Sequence, residues 1–171
     1  SAALMVKSHG TVSVDGKVSD ADLTYLEEVA NSTGQEVDKS RLTSQACART
    51  ALITDVGIAL ATELETAGQK WSLGFPPKFQ RVDLFNYNVL VRNYDSSAFK
   101  GDRYHNTKNG INADIGASTD LDDNWTLGLV AQNLISRSIE TKEVNGITET
   151  FRIRPQVTAG VSWHNAMFTT A

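Results

Sequence analysis

The sequence predicts a mainly β protein: an antiparallel meander of the β-barrel type, with one or two short helices near the amino end. Three observations lead there. From Val56 onward, apolar residues recur at every second position. Turn dipeptides and charged loops break those runs into strand-length pieces. The spacing of three and four that marks a helix occurs only within the first fifty residues. The expected organisation is a mixed segment over 1–50 and an antiparallel sheet or partial barrel over 51–171.

Taken in order, Leu4 to Val14 alternates loosely and reaches Asp15-Gly16, a turn dipeptide. Ser19-Asp20-Ala21-Asp22 is an acidic cap ahead of Leu23, Leu26, Val29 and Ala30, which share one helical face. With Gly34 just beyond, the spacing predicts a helix from about Asp20 to Ser32. Leu42, Ala46 and Thr50 form a weaker stripe within Asp38 to Ala51, the candidate second helix. Val56, Ile58, Leu60 and Leu64 then alternate, and Ala67-Gly68-Gln69-Lys70 is a turn before Trp71, Leu73 and Phe75. Pro76-Pro77 interrupts any ladder, because neither residue carries an amide hydrogen.

Phe85, Tyr87, Val89 and Val91 alternate next, and Ser96 to Asn109 reads as a long polar loop. Ile111 to Ala117 and Trp125 to Ala131 form a hairpin about Asp120-Leu121-Asp122-Asp123-Asn124. A charged loop, Glu140 to Glu149, centres on Asn145-Gly146 and leads into one further run from Phe151 to Trp163. Gly116, Gly128 and Gly160 stand on the inward side, where small residues let a sheet curve. Trp125, Phe151 and Trp163 stand at strand ends, as aromatic girdles do in membrane barrels. A soluble sandwich alternates in the same way, so periodicity leaves the two architectures open.

The bulk numbers restrict function. With 40% hydrophobic and 21% charged residues, the 171-residue chain falls in the folded range. A net charge of -4 argues against a nucleic-acid partner. Lys78, Arg81, Arg152 and Arg154 come nearest to a basic cluster and read as a solvated face. One cysteine, Cys47, excludes an internal disulfide and reads as a buried structural thiol. No stretch approaches the ~20 apolar residues of a spanning helix. No basic leader precedes an apolar run, so a signal peptide is expected to have been removed. Ser1-Ala2-Ala3-Leu4 and Phe168-Thr169-Thr170-Ala171 both read as cuts within a longer chain.

Candidate sites are few. His9, His105 and His164 lack partners at zinc spacing, and His105 lies beside Asp102 and Tyr104. Asp120, Asp122 and Asp123 resemble half of a calcium loop but lack the later glutamate, and read as turn residues. Asp114 is either an inward charge in a barrel lumen or an exposed strand residue. Glu27-Glu28 and Glu63/Glu65 read as solvated acids. No Gly-x-Ser-x-Gly elbow, phosphate loop or dinucleotide fingerprint is present. The expectation is therefore a non-enzyme, with no catalytic, cofactor-binding or metal residue and no cofactor.

Four runs are more specific than their composition: Gly74 to Tyr87 (GFPPKFQRVDLFNY), Gly110 to Ala117 (GINADIGA), Asn124 to Leu134 (NWTLGLVAQNL) and Arg154 to Ser162 (RPQVTAGVS). Together they resemble the conjugal-transfer TraF-like proteins of Gram-negative bacteria, whose barrel repeats are similar to those of the FadL and PorV class of transporters. The resemblance covers about Ala51 to Ala171. It implies an outer-membrane location and a structural or transport-related part in conjugative plasmid transfer or envelope assembly. Outer-membrane lipid and other envelope or conjugation proteins are the implied partners, and no catalytic residues carry over. Members of that family are much longer, so the chain is expected to be a fragment with too few strands to close a wide pore. The competing expectation is a soluble periplasmic β-sandwich, a binding or adhesion module.

Overall fold

A computed structural model describes residues 1–32, 34–94, 101–164 and 169–170. Eleven strands and one α-helix follow in order: β1 (Ala2–Lys17), α1 (Asp20–Asn31), β2 (Gln45–Thr66), β3 (Gln69–Phe75), β4 (Pro77–Leu90), β5 (His105–Ala113), β6 (Ile115–Asp120), β7 (Trp125–Gln132), β8 (Arg137–Glu140), β9 (Thr150–Ile153), β10 (Gln156–His164) and β11 (Thr169–Thr170). Nine of them form one antiparallel sheet curled into a half-barrel, and β8 and β9 form a separate hairpin. The expected mainly β, antiparallel fold with a short amino-proximal helix is what the chain adopts.

The sheet is built around one long hairpin. Ala67 (φ 52) and Gly68 (φ 76) make the tight turn that joins β2 to β3. From Thr66↔Gln69 to Gln45↔Leu90 the pairing keeps a single register, so β3 and β4 are one strand interrupted at Pro76. The same holds next door: from Trp71↔Thr119 to Phe85↔His105, β5 and β6 are collinear and interrupted at Asp114. β7 pairs β6, β10 pairs β7, and β1 lies along the other side of β2. The result is an up-and-down meander. The prolines interrupt the ladder without shifting it, since Asp114 N–H donates to the Pro76 carbonyl at 3.2 Å.

Three local expectations are corrected. Asp15-Gly16 is not a turn: β1 continues through both residues, pairing Asp15 with Cys47 and Gly16 with Ala46. The stripe over Asp38 to Ala51 is not a second helix. It holds only a 3-10 turn at Lys39–Arg41 before β2 begins at Gln45. Partners on both sides of β2 outweigh a weak helical stripe. The run from Phe151 to Trp163 is not one strand, because Arg154-Pro155 separates β9 from β10. Of the loop expected over Ser96 to Asn109, residues 96–100 lie outside the described residues, and β5 begins earlier than expected, at His105. α1 forms where expected, capped by the Ser19 hydroxyl accepting from the Asp22 N–H. Yet it buries Asp22 and Val29 and leaves Leu23 and Leu26 outward.

Beyond Gln132 the chain leaves the sheet at Asn133 (φ 55) and folds back over one face. There Ile139, Phe151 and Ile153 of the β8–β9 hairpin pack on Ala51, Ile53, Val82 and Leu84. A second small cluster joins Tyr87, Val89, Tyr104 and Val144. The hairpin therefore marks one face of the sheet as covered and leaves the other bare, although Leu60 to Thr66 of β2, toward the Ala67-Gly68 turn, are exposed on both faces.

Gly57 lies on the covered face, where a β-carbon would sit 2.3 Å from the Pro77 carbonyl oxygen. Gly128 meets nothing within 4 Å. Gly57→Ala should cost about 1–3 kcal/mol through this backbone collision, whereas Gly128→Ala should leave stability unchanged. Urea unfolding followed by tryptophan fluorescence measures both, and equal midpoints for the two variants would contradict the assignment.

Candidate functional site

Because residues paired in register share a face, the chemistry of each face can be read row by row. The covered face carries a polar cluster beside the apolar one. Asp55 pairs with Gln80, Gly57 with Lys78, and Lys78 with Asn112. Lys78 is 6% exposed, and its ammonium lies 3.1 Å from Asp55 Oδ2 and 2.8 Å from Asp114 Oδ1. Gln80 donates to Asp55 Oδ1 at 3.0 Å. A lone buried ammonium would be strongly disfavoured, and two carboxylates with a donated amide supply the compensation it needs.

The departing chain completes this cluster. Asn133 N–H donates to Asp114 Oδ1 at 2.7 Å, and the Asn112 side chain both accepts from Ile135 N–H and donates to the Ile135 carbonyl, each at 3.0 Å. Arg137 donates to Gln80 Oε1 at 3.2 Å, its guanidinium lying over Gly110. The arrangement fastens the hairpin to the wall. It presents neither a nucleophile paired with a base nor an open ligand position.

The bare face differs in kind. Val6, Val56, Phe79 and Ile111 form one row, and Trp125 pairs with Trp163 at the opposite limit. Between these rows the bare face carries no charged side chain. It holds instead Ile58, Leu60, Leu64, Phe75, Ile115, Leu129 and their neighbours, many of them about half exposed. Trp71 stands one row in from Trp125 and Trp163, so all three tryptophans gather at one rim. Beyond the other limit comes a polar row of Ser8, Thr54, Arg81 and Asn109.

The residues singled out in the sequence fall in several places. Lys78 and Arg81 occupy opposite faces, and Lys78 is buried, so the four basic residues are not a common solvated face. Asp114 is buried on the covered face and is not an exposed strand residue. His105 turns to Asp83 at 2.9 Å and stacks on Phe85, with Thr107 and Arg81 also bonded to Asp83. His9 faces Ile53 across β1 and β2, and His164 ends β10. Asp122 accepts from Asn124 and Trp125 N–H, the work of a turn residue. Cys47 is partly buried in β2. Phe151 belongs to the hairpin and not to the tryptophan rim. Among the described residues, no three His, Cys, Asp or Glu side chains stand close enough to hold a metal ion.

Where β2 begins, Asp22 accepts from Thr43 N–H and Ser44 N–H at 3.0 and 2.7 Å and from the Ser44 hydroxyl. The Ser44 hydroxyl, followed by the backbone donors of Thr43 and Ser44, holds this carboxyl well below the usual carboxylate range, against the opposing effect of burial. A depressed folded-state pKa stabilises above the unfolded value and is lost as pH falls.

The family described as "F plasmid transfer operon, TraF, protein" matches residues 1–171, a wider span than the quoted motifs occupy. No curated protein and no solved structure matches the chain.

Two outcomes are expected. Lys78→Met strands two buried carboxylates and should cost about 3–5 kcal/mol, and limited trypsin digestion should then cut at Arg152 or Arg154 faster than in the parent. An unchanged cleavage rate would separate the cluster from hairpin docking. Acidification below about pH 4 should lower the thermal midpoint as Asp22 takes up its proton, and Asp22→Asn should lower it at neutral pH and flatten that acid slope.

Proposed function

Because the chain belongs to the family of the F plasmid transfer operon TraF protein, its role lies in conjugative plasmid transfer, and we propose that it acts there as wall of an outer-membrane β-barrel. In this reading it is structural or transport-related and not an enzyme, and its partners are outer-membrane lipid and other envelope or conjugation proteins.

The observation that carries the reading is the charge-free band of the bare face. From Val56 to Thr66 it spans about ten residue steps, which at ~3.3 Å each and a tilt of ~40° rises roughly 25 Å, the height of a barrel's apolar belt. A tryptophan rim bounds one side and a polar row the other. The face behind the band carries Glu63, Glu65, Lys70 and Ser72, with Lys78, Asn112 and Asp114 at its edge, the polarity of a barrel interior. A stacked second sheet would bury the band, yet Trp125 is 42% exposed and β8–β9 lies on the other face. β1 and β11 run in the same direction, so closure by antiparallel pairing needs strands of opposite direction beyond those described.

Expressed with a secretion signal in a Gram-negative cell, the chain should remain in the urea-washed outer-membrane pellet. Recovery wholly in the soluble periplasmic fraction would establish the soluble module in its place. Leu129→Arg, near mid-band, should weaken membrane retention by about 2–4 kcal/mol, while Gly128→Arg, on the covered face, should not.

A further inference from the structure

Resting on the membrane reading just given, we infer the direction in which the wall is inserted. The tryptophan rim lies at the periplasmic leaflet, and the opposite end projects from the outer surface as a prong in which β4 is covered on both faces.

The connections differ at the two ends. At the tryptophan rim, Ala67-Gly68 alone joins β2 to β3, and Leu121 to Asn124 joins β6 to β7. At the other end, residues 18–44 carry α1 and the 3-10 turn, residues 91–104 join β4 to β5, and residues 133–155 carry the β8–β9 hairpin. Barrels of the outer membrane keep short turns on the periplasmic side and long connections outside.

Burial along β4 supplies a second, independent sign. Pro77 to Arg81 alternates between exposed and buried, as a wall with one face in lipid does. From Val82 to Val89 the alternation stops, and every residue except the half-buried Phe85 is buried. Ile139 and Ile153 cover one side there, while Tyr104 and Val144 pack on Tyr87 and Val89. There β4 buries its apolar side chains against protein, as a strand in water does, and the change occurs just past Phe79 and the polar row at Arg81. From there β2 and β4 continue to the Gln45↔Leu90 pair, which places the tip roughly 25 Å beyond the band at the same rise and tilt. The surface so presented comprises Glu143, Asn145 and Gly146 at the hairpin tip and the outward Leu23 and Leu26 of α1.

The test is single-cysteine labelling in a Cys47→Ser parent, expressed with a secretion signal in Gram-negative cells and treated with a membrane-impermeant maleimide. Glu143→Cys and Asp123→Cys sit at exposed positions of the two ends. Expected is at least a tenfold preference for labelling at 143 in intact cells, with 123 reached only after the outer membrane is permeabilised. The reverse preference, equal labelling, or labelling of neither in a chain that stays in the urea-washed membrane pellet would overturn the orientation. A chain released by urea, with both positions protected until permeabilisation, would overturn the membrane reading itself.

Discussion

The unbroken register of the central ladder is the constraint on which the rest of the structure depends. β2 keeps one alignment with β3 and β4 from its last residue to its first, and β5 and β6 keep one alignment with them in turn. A slip of one residue would send every side chain of a strand to the opposite face. Ile58, Leu60 and Leu64 would then turn to the face that carries Asp55 and Lys78, while Asp55 would stand among Phe79 and Ile111. The register holds through Pro76 and Asp114, where strand pairing lapses. The tight Ala67-Gly68 turn fixes it at one end, and Gly57 fits closely against the Pro77 carbonyl where the lapse occurs.

With the register set, the two faces acquire different partners for energetic reasons. The covered face buries a lysine, two aspartates, a glutamine and three asparagines. Such a group is tolerable only when each member is satisfied, and no buried side-chain donor or acceptor among the described residues lacks a partner. The satisfaction comes in part from Asn133, Ile135 and Arg137, residues of the chain that has just left the sheet. The polar cluster thus specifies where the hairpin goes, and Ile139, Phe151 and Ile153 add apolar contact once it is there. On the bare face no protein segment among those described covers the band.

The sheet also changes character along its length. Near the tryptophan rim, its covered face is lined by Gly116, Gly128 and Gly160, which pair with or neighbour one another across β6, β7 and β10. Toward the other end β4 lies between two layers of side chains while β1 stays exposed, and Asp22 ties α1 to the start of β2. A single fold so joins a one-sided wall to a conventionally packed tip.

Much of this was legible in residue order. Every-second-residue apolarity predicted the strands, Ala67-Gly68 and Asp120 to Asn124 predicted their turns, and Ser19 predicted where α1 begins. Those signals are local, and local geometry determines them. The sequence could not say that Lys78 is buried between Asp55 and Asp114, since those residues are brought together only by strand pairing over dozens of positions. Nor could it show that Phe151 leaves the wall while Trp71 joins Trp125 and Trp163 at one rim, although Arg154-Pro155 marked the break. Alternation is a property of one strand; which face is covered, by what, and to what height are properties of the register between strands. The sequence alone therefore determined a sheet with one apolar side, and the tertiary structure decided that the departing chain docks against the other, because Gln80, Asn112 and Asp114, which bond it, lie there.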